Sequence, residues 1–82
     1  MKKLKLLNKV LSGSRNISFD EITSLLYAYG FYLSRTNGSH HIFVHKDVTE
    51  LINIQNVKGK AKPYQIKQFL ELIEKYNLKM ED

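Results

Sequence analysis

Hydrophobic residues recur along the chain at two spacings, one typical of helices and the other of strands. Residues 2–11 carry Leu4, Leu7 and Leu11 at helical spacing, with lysines on the opposite side, which predicts a short amphipathic helix. The turn-forming run Ser-Gly-Ser at residues 12–14 ends it. A basic amphipathic start is also typical of a membrane-binding or nucleic-acid-binding arm, but the leucine stripe favours packing on the rest of the domain.

A second helix is predicted from Phe19 to Tyr29. Ser18 and Glu21 have the spacing of a capping box, in which each side chain bonds a backbone N–H at the other residue. Gly30 stands where a residue with left-handed backbone geometry commonly ends a helix. The apolar stripe of this helix comprises Ile22, Leu25, Leu26 and Tyr29.

Two runs rich in β-formers, residues 31–36 and 39–45, flank Asn37-Gly38 and predict a β-hairpin. A two-residue loop at Asn37-Gly38 places Arg35 opposite His40 at the turn end of one face. That face would also carry Phe31, Leu33, Ile42 and Val44. The other face would carry Tyr32, Ser34, His41, Phe43 and His45. A single bulge would reverse these assignments beyond it.

The remaining pattern predicts one more strand and one more helix. Residues 47–50 read as a connection, residues 51–55 as a strand and residues 56–62 as a basic loop. Pro63 suits the first turn of a helix, and Asn77 is placed to cap its end. The apolar stripe of that helix comprises Ile66, Phe69, Leu70, Ile73 and Tyr76.

The element order helix, helix, strand, strand, strand, helix predicts an α+β fold. A three-stranded antiparallel meander with its helices packed on one face is the economical arrangement. It resembles a double-stranded-RNA-binding domain, with an extra N-terminal helix. We expect one domain over residues 1–82, of which residues 1–12 form the N-terminal helical extension.

Composition narrows the class of protein. The 82 residues are 43% hydrophobic, which suits one small globular domain, and the absence of cysteine excludes disulfides and thiolate metal sites. No apolar run is long enough to span a membrane, and no signal peptide is visible, so we expect a soluble cytoplasmic protein. Thirteen basic residues against eight acidic ones give a net charge of +5. This excess favours a polyanionic partner, nucleic acid first and an acidic protein surface second, although lysines also serve solubility alone.

All three histidines lie within residues 40–45, and histidine exchanges protons near neutral pH. RNA cleavage needs a base to take the 2′-hydroxyl proton and an acid to protonate the leaving 5′-oxygen. His40, directly after the turn, is the candidate, and Gly38 and Ser39 would let backbone and hydroxyl donors approach a phosphate. The alternative is a set of ordinary surface histidines.

We expect no metal site among these histidines. His40 and His41 are adjacent and point to opposite faces of a strand, while His41 and His45 lie about 13 Å apart along it. No cysteine or well-placed carboxylate completes a ligand set.

The basic loop offers a second candidate surface. Lys58, Lys60 and Lys62 lead into a helix N-terminus, where free N–H groups attract anions. Lys67 extends the charge of this edge, and Tyr64 offers a ring for base stacking. A solvated run of charge is the alternative interpretation.

These features together resemble the HicA (YcfA-like) toxin family, the ribonuclease half of HicAB toxin–antitoxin modules. The resemblance rests on the capped helix running into Tyr29-Gly30-Phe31, on the segment Asn-Gly-Ser-His-His-Ile-Phe at residues 37–43, and on the Gly- and Lys-containing start of the last helix at residues 59–70. The N-terminal helix and the segment Pro63-Tyr64-Gln65 depart from the usual family pattern.

The resemblance implies a double-stranded-RNA-binding-domain-like fold and metal-independent cleavage of mRNA without a cofactor. It also implies inhibition by a HicB-type antitoxin that covers the active site. The catalytic histidine of the family follows Gly-Ser and is His40 here. Gly38 and Ser39 would shape the turn, and His41 would support the site or contact RNA. The further RNA contacts that we expect come from Arg35, Lys58, Lys60, Lys62 and Lys67.

Two other functions remain open from the residues. A non-catalytic RNA-binding module would use the same lysines on phosphates, and its binding would weaken with salt without any product. A protein-interaction module for an acidic partner would bind no RNA.

Overall fold

A computed structural model describes residues 2–80, with side chains from residue 4 onward. The three strands form one antiparallel sheet in the order β1-β2-β3. This confirms the α+β fold and the N-terminal helix. No helix in residues 2–80 is long and apolar enough to cross a membrane. In chain order the elements are α1 (Lys2–Leu11), α2 (Phe19–Ala28), β1 (Tyr32–Asn37), β2 (His40–His45), β3 (Val48–Gln55) and α3 (Pro63–Lys75).

Helix α2 has the predicted start and stop. The Glu21 N–H donates to Ser18 Oγ at 3.0 Å, and the Ser18 N–H donates to Glu21 Oε1 at 2.9 Å, which completes the capping box. At the other end, Gly30 has a φ of +91° and its N–H bonds the Tyr27 carbonyl, while the Phe31 N–H bonds the Leu26 carbonyl. This pair of bonds is a Schellman motif, which only a residue in left-handed geometry allows.

Helix α3 ends in the same way with asparagine in place of glycine. Asn77 has a φ of +52° and donates its N–H to the Glu74 carbonyl, and the Leu78 N–H bonds the Ile73 carbonyl. Asparagine tolerates left-handed geometry better than other non-glycine residues, which confirms the predicted cap. Pro63 occupies the first turn of the helix, as expected.

The turn of the first hairpin lies one residue later than predicted. Asn37 pairs with His40, so the two loop residues are Gly38 and Ser39. Of these two only Gly38 has a positive φ, +61°, the pattern of a type II′ turn. A loop at Asn37-Gly38 would need positive φ at both residues, whereas the observed loop needs it only at the glycine. The prediction that Arg35 pairs with His40 is therefore wrong, and Arg35 pairs with Ile42.

A bulge in β1 changes the predicted faces. Leu33 pairs with Phe43 and Arg35 with Ile42, which leaves Ser34 as the extra residue. The prediction that Phe31 and Leu33 share a face with Ile42 and Val44 is wrong, because they lie on the face of Phe43. On the turn side of the bulge, Arg35 still shares the face of His40, as the alternation of the strand requires.

Strand β3 begins earlier than predicted, at Val48 instead of Leu51. Residues 48–50, expected as a connection, belong to the sheet: Val48 pairs with His45 of β2 and is buried, and Glu50 has partners at the end of α3. Its carboxylate accepts hydrogen bonds from Lys75 and Tyr76. The bond from Lys75, followed by that from Tyr76, lowers the pKa of Glu50 to about 2. Sequence pattern alone does not reveal this long-range contact.

The core lies between the helices and one face of the sheet. Phe31 meets Phe69 of α3 at a ring-centroid distance of 6.2 Å, and Phe43 meets Tyr27 of α2 at 5.8 Å. Burial raises the pKa of the Tyr29 hydroxyl, whose ring also packs on Phe69. No helix of residues 2–80 packs on the opposite face, which carries His40, Ile42 and Val44 on β2 and is partly exposed. Further fully buried side chains are Ile17, Ile22, Leu25, Leu26, Ile52 and Ile54.

Helix α1 is held on α2 by a buried residue and one ion pair. Val10 is buried, and Leu6 and Leu7 pack against the core. The predicted stripe is correct at Leu7 and wrong at Leu4 and Leu11, which are 53% and 59% exposed, because the helix turns the side of Leu6 and Val10 inward. Lys9 Nζ lies 3.1 Å from Glu21 Oε1, so one carboxylate both caps α2 and binds α1. The hydrogen bond from the Ser18 N–H contributes most to lowering the pKa of Glu21, and Lys9 lowers it further.

We predict that Glu21→Ala lowers the free energy of unfolding by about 1 kcal/mol, since it removes half of the capping box and a partly exposed ion pair. Glu21→Gln keeps an acceptor for the Ser18 N–H and loses only the charge, so its loss is smaller. Folding lowers the pKa of Glu21 below 4.5, so its ionised form stabilises the fold above that pH, and this stabilisation disappears as the pH falls through the folded-state pKa. Urea unfolding at pH 7 and pH 3 tests this. An Ala variant as stable as the parent at pH 7 would contradict it.

Candidate active site

The turn Gly38-Ser39 decides where the candidate histidines point. A Cβ on Gly38 would meet no atom within 4 Å, so glycine is needed here for its positive φ and not for space. Because β2 starts directly after this turn, His40 is its first residue and His41 its second. Successive side chains of a strand alternate, so the two histidines lie on opposite faces, as predicted.

His40 lies half-buried on the uncovered face and is bonded through one nitrogen. Its Nδ1 is 2.9 Å from Nδ2 and 3.3 Å from Oδ1 of Asn53, a residue of the neighbouring strand. His40 itself pairs with Gln55, so Asn53 sits two residues along β3 on the same face. The described residues supply no partner for Nε2, which leaves that nitrogen available to a substrate.

His41 lies on the helix-covered face. Its ring packs against Phe19 at a centroid distance of 4.5 Å, and its Nδ1 donates to the Ser39 carbonyl at 3.0 Å. A carbonyl only accepts hydrogen bonds, so Nδ1 carries a proton. His41 therefore connects the start of α2 to the turn that precedes His40.

His45 belongs to the far end of the strand and takes no part in this group. It is 9% exposed, packs edge-on against Phe31 at 5.0 Å, and its Nδ1 accepts the Asp47 N–H at 3.0 Å. Its environment is that of a core histidine closing the second hairpin. Within residues 2–80, no group of three or more His, Asp or Glu side chains is placed to hold a metal.

Ser39 is the point where three segments of the chain meet. Its carbonyl also accepts the Asn56 N–H at 2.9 Å, and its hydroxyl lies 3.4 Å from Gln55 Nε2. The Gln55 N–H in turn donates to Oε1 of Gln65 at 2.7 Å. Gln65 is only 2% exposed and belongs to the first turn of α3. The histidine turn is thus tied both to the end of β3 and to the start of α3.

The basic loop lies at the same end of the sheet as the histidine turn. It contains a tight turn at Lys58-Gly59 in which both residues have positive φ, and Val57 and Lys60 exchange two backbone hydrogen bonds of 3.0 Å. The Gly59 carbonyl accepts the Phe19 N–H at 2.9 Å. Since Phe19 also packs on His41, the loop and the histidine turn share one support.

The other predicted contact residues are distributed unevenly around this end. Arg35 is exposed on the face of His40, and Lys62 precedes α3 as its N-cap. Lys60 binds the Asn16 side chain. Lys67 lies apart, in a groove of about 250 Å³ that it shares with Arg15 between α1 and α3. The structure therefore brings the backbone of the loop to the same end of the sheet as the turn, directs Lys60 to Asn16, and places Lys67 in the groove with Arg15.

Sequence reasoning did not single out Asn53, Gln55 or Gln65. In an alternating strand, Asn53 between two isoleucines predicts only that its side chain faces away from the core. Gln65 lies in the first turn of a helix, where burial of an amide is not expected. The contacts of all three cross between elements, so no local spacing identifies them.

We predict that Gln65→Leu lowers the free energy of unfolding by about 1–3 kcal/mol, because it leaves the Gln55 N–H without its acceptor. Gln68→Leu makes the same chemical change at a half-buried position of α3 with no side-chain hydrogen bond within the described residues, so it should change stability little. Chemical denaturation of both variants measures the difference. Equal stability of the two would contradict the role given to Gln65.

Comparison with known families gives one match. The family model described as the HicA toxin of bacterial toxin–antitoxin systems matches residues 19–74, more than half of the chain. The comparisons with curated proteins and with solved structures gave no match. The matched range runs from the first residue of α2 to the last turn of α3 and so contains the histidine turn and the basic loop; α1 lies outside it. The chain belongs to the HicA toxin family of bacterial toxin–antitoxin systems.

Proposed function

We propose that this toxin is a metal-independent endoribonuclease that cleaves mRNA in the cytoplasm with His40 as general acid or base. The observation that carries the proposal is the position of His40. It is the first residue after a tight turn, lies on the uncovered face, and has Nε2 free of partners among the described residues. A single-stranded or structured RNA can approach this face without displacing a helix.

The reaction requires a base that removes the proton from a ribose 2′-hydroxyl. The 2′-oxygen then forms a bond to the adjacent phosphorus, and the bond from phosphorus to the 5′-oxygen breaks. The leaving oxygen takes a proton, so the products are a 2′,3′-cyclic phosphate and a free 5′-hydroxyl. An imidazole can take the first proton or supply the second.

The residues around His40 offer hydrogen-bond donors and a positive charge for the phosphate that reacts. The Gly38-Ser39 turn exposes backbone N–H groups and a hydroxyl, and Arg35 places a guanidinium on the same face. Cationic and N–H donors stabilise the charge that builds on the phosphoryl oxygens. For His41, packing against Phe19 and its bond to Ser39 favour a supporting role over direct contact with RNA.

The basic loop extends the proposed RNA path. Lys58 and Lys60 lie on a tight turn beside the histidine turn, Lys62 precedes α3, and Tyr64 is 65% exposed. We assign phosphate contacts to the lysines and base stacking to Tyr64. Lys67, on another side of α3, would contact only a longer RNA. A HicB-type antitoxin that covers the face of His40 would stop the reaction.

We predict that His40→Ala abolishes RNA cleavage and growth arrest, with a loss of at least about 100-fold in rate. Incubating the parent and the variant with end-labelled single-stranded RNA in the presence of EDTA measures this. Melting temperature and RNA affinity serve as controls for folding and binding. Cleavage by the variant at the parental rate would exclude His40. Binding by both proteins without cleavage by either would favour the non-catalytic RNA-binding module.

We also predict that replacing Lys58, Lys60 and Lys62 with Gln weakens RNA binding and reduces its salt dependence. Loss of three phosphate contacts lowers the slope of log affinity against log salt by about two for single-stranded RNA. The variant is made in the His40→Ala background so that the RNA stays intact. Replacing Lys5, Lys46 and Lys79 instead removes the same charge elsewhere. Equal slopes in the two triple variants would show that the loop makes no specific phosphate contacts.

A further inference from the structure

The side chain of Asn53 is the one hydrogen-bonding partner of the His40 ring within the described residues. Both atoms of its amide lie within reach of Nδ1, Nδ2 at 2.9 Å and Oδ1 at 3.3 Å. The bond crosses from β2 to β3, two strands held together by their backbone ladder. The ring is therefore anchored to a neighbouring strand and not only to its own turn.

The two amide atoms favour different forms of the imidazole. When Nδ2 donates, Nδ1 must be unprotonated, and the proton of the neutral ring lies on Nε2. In that form Nε2 cannot accept a proton. When Oδ1 accepts instead, Nδ1 carries a proton, and Nε2 is either a free base or, in the charged ring, an acid. A half-turn of the amide exchanges the two arrangements.

We propose that Asn53 is a positioning residue for His40. Its amide occupies Nδ1 and thereby leaves Nε2 for proton exchange with RNA. When its oxygen faces Nδ1, it stabilises the two ring forms that carry a proton there, the neutral base and the charged acid. This inference rests on the proposed ribonuclease function. It adds a residue from β3 to the group around His40, which the sequence analysis places on the hairpin.

An amide suits this position better than a carboxylate would. An amide offers a donor as well as an acceptor, so it bonds Nδ1 in every protonation state of the ring. It also adds no charge beside an RNA phosphate. Among the described residues, Arg35 of β1 is the charged residue on this face near His40. The residues that pair with His40 on the two neighbouring strands, Asn37 and Gln55, are neutral.

An anchor of this kind is needed because His40 lies beside a turn and is partly exposed. Without it the ring is free to change rotamer, and each misplaced rotamer moves Nε2 away from the reacting proton. The backbone of β2 positions the Cα of His40, but only a side-chain bond orients the ring.

The test compares Asn53→Leu, Asn53→Asp and a control, Asn37→Leu. Asn37 flanks His40 on the opposite strand and makes no side-chain hydrogen bond within the described residues. For each protein, ¹⁵N NMR of the histidine ring shows which nitrogen carries the proton, and cleavage of a short RNA gives kcat and KM.

We predict that Asn53→Leu lowers kcat about 10- to 100-fold with KM within about twofold, the size of effect known for removing the hydrogen-bond partner that orients a metal-binding histidine. The carboxylate of Asn53→Asp only accepts hydrogen bonds, so it places the ring proton on Nδ1. This variant therefore restores part of the kcat that Asn53→Leu loses. Asn37→Leu leaves both the ring signals and kcat as in the parent.

Three results would overturn the inference. Parental kcat in Asn53→Leu would show that the bond does not serve the reaction. A raised KM with unchanged kcat would make Asn53 an RNA contact instead. If the parent itself cuts no RNA, the ribonuclease function fails and this role fails with it. The NMR spectra distinguish that last case, since a ring response to Asn53→Asp would show that the contact exists without the chemistry.

Discussion

The register of β2, which places the turn at Gly38-Ser39, is the constraint on which the candidate site depends. A strand that starts one residue earlier or later would exchange the faces of its side chains. His40 would then point into the helix layer and His41 toward solvent. In the observed register, His41 lies on the helix-covered face, next to the Phe19 ring and the Ser39 carbonyl. His40 lies on the opposite, uncovered face and is partly exposed. Two adjacent histidines thus acquire different environments from a single turn.

Several contacts reinforce that register. The Ser39 carbonyl accepts hydrogen bonds from His41 and from the backbone of Asn56, so the turn is held from two directions. Gln65, buried at the start of α3, accepts a hydrogen bond from the backbone N–H of Gln55, the residue before Asn56. These contacts join the turn to β2, to the segment after β3 and, through Gln55, to α3. The site is therefore a product of tertiary folding and not of the hairpin alone.

The features that sequence predicted well are those with a local physical cause. The capping box of Ser18 and Glu21 and the left-handed ends at Gly30 and Asn77 depend on residues within a few positions, and all three were predicted correctly. The hairpin was predicted but its turn was displaced by one residue, since Asn-Gly and Gly-Ser both suit tight turns and only the sheet selects between them.

Features that depend on distant partners could not be predicted in this way. The bulge at Ser34 places Phe31 on the core face of the sheet, where its ring packs against Phe69. The early start of β3 comes with contacts that no local spacing indicates, among them the bond from Lys75 at the end of α3 to Glu50. Asn53 gave no signal in the sequence because its partner lies thirteen positions away. The place of His40 after Gly-Ser in a hairpin is a local pattern, whereas its hydrogen bond with Asn53 is not.

The N-terminal helix shows how an addition outside the matched family range can leave such a site open. Val10 is buried and Lys9 binds Glu21, so α1 packs on α2, in the helix layer. The uncovered face of the sheet is on the opposite side, and α1 therefore does not obstruct His40. Its connection to the site is indirect: Glu21 caps the helix whose first residue, Phe19, packs on His41. An addition at this position contacts the helix that supports the histidine turn and leaves the face of His40 uncovered by the helices of the described residues.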